Sequence, residues 1–402
     1  MEIEREQFLD ALSKYRDREA IKVLTGIRRC GKSTLLKQYI ERLRSSGVPD
    51  DRIFYVNMES LTNLRFMDGM VLYEEIMKKK GDRLYIFLDE VQSIEGWERV
   101  VNSLRVDMDC DIYITGSNAY LLSTEISTLL TGRSIQMRVL PLSFKEFCLF
   151  ERPTDVPGMM RAYSRYVDLG GFPFIRPEMD EEVVFQRLEE IKSDIVLKDI
   201  CSRKEKIDSV KVRRVVDYMF SEIGNPISAE NISANLGISQ SAANEYLRLI
   251  TDSLLFFKVE RYNLRGKTIL KTMPKFYCTD LGMRNTQPIP VSRDGGRVME
   301  NIVCLELIRR GYRVYVGKIG DYEIDFIARK GKETEFYQVA QSVADNDTME
   351  RALRPFRSLR AQGRRFLITS DATVGFQTEE ATIISIMDFL TLCRSGQCLH
   401  NR

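Results

Sequence analysis

The stretch Ile21-Lys22-Val23-Leu24-Thr25-Gly26-Ile27-Arg28-Arg29-Cys30-Gly31-Lys32-Ser33-Thr34 decides how the rest of the chain reads. A short apolar strand runs into Gly26-x-x-x-x-Gly31-Lys32-Ser33, and Leu35, Leu36, Tyr39, Ile40 and Leu43 then recur at helical spacing. Strand, glycine loop and helix in that order are the context a phosphate-binding loop requires. The glycines let backbone N–H groups curl around phosphate oxygens, and the helix N-terminus adds partial positive charge. Gly26, Ile27, Arg28, Arg29, Cys30, Gly31, Lys32, Ser33 and Thr34 are therefore the candidate nucleotide cradle. Lys32 is expected to neutralise the β- and γ-phosphates and the Ser33 hydroxyl to complete the shell of a Mg²⁺ ion. Thr34 is expected on the phosphate or base side rather than on the metal.

A P-loop pattern recurs by chance in unrelated chains, so a second element has to agree with it. Residues 84–90, LYIFLDE, provide one: a continuous apolar strand that ends in two acids. That order places Asp89 beside the metal and Glu90 beside the attacking water. Residues 111–118, DIYITGSN, read as a third buried strand ending in a polar cluster. Such strands end at the ligand crevice, so Thr115, Ser117 and above all Asn118 are candidates to reach the γ-phosphate or position the water. The same cluster is also ordinary turn chemistry. Arg133, after a helix and a glycine stop, reads either as an arginine finger acting across a subunit interface or as a plain surface arginine.

Composition sets outer bounds. At 402 residues the chain is about two to three domains long. Its 44% hydrophobic and 29% charged content excludes a wholly disordered or fibrous protein. Sixty Lys and Arg against fifty-eight Asp and Glu give a formal charge of +2, which excludes a bulk-basic nucleic-acid binder but not a local basic patch. With His400 as its one histidine, the chain holds no Cys2His2 finger and no HExxH metalloprotease site. The eight cysteines form no CxxC pair, which points to free thiols in a reducing compartment. The charged first twenty residues contain no apolar signal region, and no stretch is long and apolar enough to span a bilayer. A cytoplasmic protein with no membrane partner is the expectation.

GIRRCGKST, FLDEVQ, YITGSN, LLTGRS and LPLSFKEF together resemble the AAA-type ATPase domain of a widespread prokaryotic family, in which the ATPase is fused to a C-terminal domain of unknown function. The resemblance implies an additional-strand P-loop fold, with another strand between the acidic strand and the P-loop strand. It implies ATP rather than GTP, and no NKxD guanine-reading motif is visible. It continues through DLGGFP (168–173), KFYCTDLGMRN (275–285) and the run from 297 to 369, so it covers most of the chain.

The expected fold class is α/β: a P-loop ATPase core over 1–150 and a helical lid over 151–205, followed by a winged helix over 206–275 and a nuclease-like α/β domain over 276–402. Lys198, Arg203 and Lys204 are candidate nucleotide sensors in the lid, which resembles the small helical lid of AAA proteins. In 206–275 a helix is followed by a short helix, Gly237, and a second helix with Ala242, Tyr246, Leu249 and Ile250 inward, then a hairpin wing. The would-be recognition helix offers Gln240, Ser241 and Asn244 to base edges but only Arg248 as a cation. The wing is more basic, with Lys258, Arg261, Arg265, Lys267, Lys271 and Lys275 against Glu260, which favours phosphate contact. Residues 295–369 resemble the PD-(D/E)xK nuclease fold, with Glu300 and Asp325 in the acid positions. Where that fold has Glu-x-Lys, this sequence has Gln338-Val339-Ala340, and the other register, beginning at Glu335, also lacks the lysine. A metal ligand and the water-steadying cation are both missing, so nuclease activity is not expected.

The leading functional expectation is an ATP- and Mg-dependent ATPase that couples nucleotide state to DNA engagement as a possible homo-oligomer. The alternative is a regulatory or signalling ATPase acting on protein partners. A DNA nuclease stands third.

Overall fold

In the computed structural model, residues 3–117, 132–203, 207–287, 294–371 and 376–391 are described. A five-stranded, wholly parallel sheet carries the N-terminal third, in the order β2-β3-β4-β1-β5. Its strands are β1 (Ile21–Gly26), β2 (Ile53–Asn57), β3 (Leu84–Asp89), β4 (Cys110–Ser117) and β5 (Ser134–Val139). All six residues of β1 and of β3 are buried, as expected of parallel strands covered on both faces. Alternate side chains enter opposite cores. Ile86, Leu88, Ile112 and Ile114 pack on one face, beneath α3 (Gly69–Met77) and α4 (Trp97–Asp107). Phe87 and Tyr113 stack on the other, with Tyr39 of α2 (Lys32–Ser45) against them. As expected, β4 separates the acidic strand β3 from the P-loop strand β1. Helix α1 (Glu6–Lys14) lies on this second face, and Arg5 before it pairs with Glu146 at 2.8 Å.

The helical lid follows as α5 (Phe144–Glu151), α6 (Val156–Leu169) and α7 (Glu181–Asp194), the last running into a π-turn over Ile195–Ile200. Between α6 and α7 the chain turns through Gly170 at φ +82°, a conformation costly for any residue with a Cβ. A Cβ there would also lie 2.1 Å from the Asp280 carboxylate, which accepts a 2.7 Å hydrogen bond from the Gly171 N–H. Gly282 is equally constrained, because its Cβ would lie 2.0 Å from the Leu169 carbonyl oxygen. The DLGGFP and TDLGMRN segments, more than a hundred residues apart in sequence, interlock here.

Three helices follow: α8 (Ser209–Ser221), α9 (Ala229–Leu236) and α10 (Gln240–Asp252), with Gly237 in a left-handed turn between the last two. On α10 it is Ala243, not Ala242, that is buried beside Tyr246, Leu249 and Ile250. The hairpin of β6 (Phe256–Asn263) and β7 (Thr268–Cys278) is no free-standing wing. It forms one edge of an eight-stranded sheet, in the order β12-β13-β11-β10-β9-β8-β6-β7. The other strands are β8 (Arg313–Ile319), β9 (Tyr322–Lys330), β10 (Glu333–Ala340), β11 (Arg364–Thr369), β12 (Phe376–Gln377) and β13 (Thr382–Ser385). Strands β8, β9 and β10 form an antiparallel meander, and β11 returns parallel to β10 after α13 (Asn346–Arg357). Short helix α11 (Leu281–Asn285) and long helix α12 (Gly295–Arg309) precede the meander, and α14 (Ile386–Thr391) closes the described chain. A boundary at 275/276 would therefore cut through β7. One hydrophobic cluster runs from Leu24 and Phe144 through Phe220 to Val303 and Tyr337, joining all four expected units.

Candidate nucleotide site and a filled acidic cluster

At the carboxyl end of β1 the chain bends sharply, with Arg29 at φ +65° and Gly31 at φ +97° before α2 begins at Lys32. Gly26 has no space for a side chain, since a Cβ would sit 2.2 Å from the Val139 carbonyl oxygen and 2.7 Å from Cys30 Sγ. Ile27 and Cys30 bury their side chains in the core and offer only main chain to a ligand. Burial pushes the Cys30 thiol up, which keeps it protonated and unreactive. Lys32 folds back on the loop, its Nζ donating to the Gly26 and Ile27 carbonyls at 3.3 and 3.5 Å and lying 3.9 Å from Glu90.

Asp89 is fully buried and surrounded by hydroxyl donors: Ser33 Oγ at 3.0 Å, Tyr55 OH at 3.2 Å and Thr115 Oγ1. Burial, followed by the nearby Asp89 charge, pushes the Tyr55 hydroxyl pKa up, so that it stays a donor. Glu90 has φ +58°, unusual for a non-glycine residue, and its N–H donates to Thr115 Oγ1 at 2.9 Å. That turn carries its carboxylate into a cleft of about 300 Å³, also lined by Arg28, Arg29, Lys32, Ser33 and Thr34. The oxygen set of Ser33 and Asp89 fits a hard divalent cation that keeps most of its ligands from water and phosphate.

The expected residues do not all converge. Thr115 is in place, Ser117 ends β4, and Asn118 lies outside the described residues. Arg133 is exposed just before β5, where its carbonyl accepts from the Ile21 N–H. That is the opposite end of β1 from Gly26, roughly 16 Å away along the strand, so Arg133 cannot serve the P-loop of its own chain. The lid cations also lie elsewhere: Lys198 pairs with Asp194 and Arg203 with Asp252, while Lys204 is outside the described residues.

What the lid does present to the P-loop is an anion. Asp199, buried in the π-turn, accepts from the Arg28 guanidinium at 2.9 and 3.3 Å. Burial opposes the Arg28 charge, but the Asp199 hydrogen bonds outweigh it and hold Arg28 above an ordinary arginine. Phe150, Pro173, Phe174 and Arg176 from the lid also line the cleft, with Ile3 and Arg5 from the N-terminal segment. None of these carries a local sequence signal; each arrives by tertiary folding.

The nuclease-like acids do come together, around a residue that the sequence places elsewhere. Glu300 on α12 and Glu323 on β9 face Lys275, whose Nζ lies 3.7 and 2.8 Å from them. Asp325 accepts from the Val339 N–H at 2.8 Å, and Gln338 Oε1 accepts from the Asp325 N–H at 2.8 Å. Burial opposes the Lys275 charge, but Glu300 and Glu323 outweigh it and raise its pKa. Among the described residues no group of His, Cys, Asp or Glu is arranged to hold a metal. The Lys275 ammonium lies between Glu300 and Glu323 and supplies a counter-charge where a cation would otherwise sit. Glu335, of the alternative register, pairs instead with Arg364 and Tyr337.

The same contacts correct the reading of a basic wing. Lys275 is buried, Arg261 pairs with Glu323 and Lys258 with Glu260, and the Lys271 side chain lies outside the described set. Arg265 and Lys267 remain exposed at the tip.

Burial, followed by the Glu300 charge, raises the Asp325 carboxyl to about 8. A carboxyl raised on folding binds its proton more tightly in the native state, so stability is fully present below the unfolded pKa near 4 and lost as pH rises toward 8. Urea unfolding across that window should show a slope of up to about 1.4 kcal/mol per pH unit from this group. Asp325→Asn, which keeps an acceptor for Val339, should flatten it; an unchanged slope would refute the assignment.

The parallel core with its β4 insertion, the P-loop and the buried aspartate define a P-loop ATPase core of the AAA class. The sequence model of an AAA domain matches residues 18–148, and that of a domain of unknown function matches 160–292. An uncharacterized protein of Haemophilus influenzae is 38% identical over 354 residues, spanning 86% of this chain and 88% of that one. One from Methanocaldococcus jannaschii is 31% identical over 357 residues, spanning 84% and 78%. The chain belongs to the family of these proteins, with an N-terminal AAA ATPase domain and a distinct C-terminal domain. The solved Aeropyrum pernix ORC1 protein in complex with DNA aligns over 73% of this chain and 94% of its own at 13% identity, with a TM-score of 0.33, too loose a likeness to carry an argument.

Proposed function

We propose that this protein is a Mg-dependent ATPase whose nucleotide state controls engagement of DNA. The observation that carries the reading is the convergence of Lys32, Ser33 and Glu90 on one cleft, with Asp89 buried behind Ser33 at 3.0 Å and the lid held to the loop through Arg28 and Asp199. Bound Mg²⁺ would supply charge neutralisation on the triphosphate, held by Ser33 and, through water, Asp89. Lys32 exchanges its two carbonyl partners for phosphate oxygens. Glu90 takes the proton of the attacking water at its carboxylate. Arg28 lies where a phosphate would compete with Asp199 for its guanidinium, so ligand binding loosens the lid contact. Asn118 is proposed as the water-positioning residue, and Arg133 as a finger donated to a neighbouring subunit of a homo-oligomer.

The DNA-binding part of the reading rests on α8–α10 and the β6–β7 hairpin, which we take as a winged helix, beside a nuclease-like sheet without nuclease activity. Exposed Gln240, Ser241 and Asn244 on α10 support it. Turnover by the full chain should rise several-fold on adding DNA; a rate indifferent to every nucleic acid tested, without salt-sensitive binding, would sink it. The neutralised wing favours a second reading, in which turnover regulates a protein partner, and that outcome would then be preferred.

A further inference from the structure

Strands β6 and β8 pair only where Arg261–Asn263 meet Val316–Lys318. Before that point they splay, leaving a cleft of about 310 Å³ that Arg138 of β5 enters from the ATPase core. We propose that this cleft binds single-stranded nucleic acid, with Arg138 and Arg313 as its phosphate contacts. The proposal rests on the DNA reading above and moves the contact from the wing tip to the base of the hairpin.

Three cations line the cleft, Arg138, Lys258 and Arg313, against one carboxylate, Glu260, which Lys258 engages at 3.5 Å. Arg138 lies over the Phe257 ring at 5.4 Å, and among the described residues it has no carboxylate partner. Its side chain keeps an exposed face, and partial desolvation against the cleft wall lowers its pKa with no counter-charge to offset it. Arg313 stands directly opposite Arg329 in the β8–β9 register, a like-charge pair that weakens a sheet unless an anion sits between or above it. Among the described residues neither has a carboxylate partner; Arg329 rests on the Tyr262 ring at 5.1 Å, and Tyr262 lies 6.0 Å from Tyr315.

Cations alternating with aromatic rings suit a single strand, which offers both phosphates and open base faces. A duplex keeps its base faces stacked, and free phosphate would leave the rings unused.

The position also links the cleft to the nucleotide site. Arg138 pairs in register with Thr25, and Val139 with Gly26. The Val139 carbonyl occupies the space beside Gly26 that a side chain would need, so any shift of β5 is felt at the first glycine of the P-loop.

The test is fluorescence anisotropy of a labelled oligothymidine with the full chain, across a salt series. Arg138→Ala and Arg313→Ala should each weaken binding about tenfold at moderate salt and reduce the salt slope by about 1. Arg138→Lys should retain most of the affinity, and removing Arg265 and Lys267 at the wing tip should cost less than either cleft variant. Melting temperatures confirm that the variants fold; should Arg138→Ala fail to fold, exposed Arg313→Ala decides. Oligothymidine binding unchanged in both cleft variants would overturn the cleft and leave the DNA reading standing. No binding of any nucleic acid by the wild type would overturn both. Equal competition by a blunt duplex would overturn the single-strand assignment.

Discussion

Glu90→Gln should bind ATP with near wild-type affinity and hydrolyse it at least about a hundredfold more slowly, the lower end of what a positioned general base contributes. The expectation follows from how the residue is held. Its main chain is fixed in the left-handed region by the Thr115 hydroxyl, and Gln92 Nε2 donates to its Oε2. A glutamine fits the same shape and keeps an acceptor, but cannot take a proton. The substitution therefore separates placement of the water from its activation. Phosphate release and fluorescent-nucleotide binding, measured on the same preparation, give the two readouts. Wild-type turnover in the variant would remove Glu90 from the mechanism.

Lys32→Ala should fail one step earlier. The residue is 5% exposed, and its ammonium donates to two P-loop carbonyls, with Glu90 at the edge of ion-pair distance. Among the described residues no other lysine lines the cleft. Loss of this cation should reduce nucleotide affinity or turnover by about 10²–10³-fold, as for removal of one well-placed donor from a site of developing charge. Equilibrium binding of a fluorescent ATP analogue checks it, with the melting temperature as the control for folding. Retained binding together with retained turnover would sink the assignment.

Both sites were unevenly legible in the sequence, for a physical reason. The P-loop and the acidic strand are local: each chemical group lies within a few residues of the backbone feature that positions it, so spacing alone carries the message. Asp89 and Ser33 meet because β3 ends and α2 begins at the carboxyl edge of the same sheet, a consequence of parallel topology. Contacts set by the packing of distant segments leave no such trace. Arg28 and Asp199 are 171 positions apart, and nothing near either one marks it as a partner. Lys275 is the clearest case. In sequence it belongs to a run of wing cations, yet β7 carries it inside the sheet to Glu300 and Glu323. The missing lysine on β10 was readable; the ammonium that neutralises the same acids from another strand was not. The domain boundary failed likewise, because a hairpin looks identical in sequence whether its edge is open or paired with β8.

The interlock of Gly170, Gly171 and Asp280 has a mechanical consequence. Gly171 donates to Asp280, Gly282 leaves no gap against Leu169, and Asn285 Nδ2 donates to the carbonyls of Val167 and Asp168 at 3.0 and 2.9 Å. The end of α6 is thus welded to the start of the C-terminal half, while the π-turn at the end of α7 bears on the P-loop through Asp199. The lid is therefore tied at both ends, to the P-loop by the Arg28–Asp199 pair and to the C-terminal half by the glycine–aspartate interlock, so neither end can shift without straining the other.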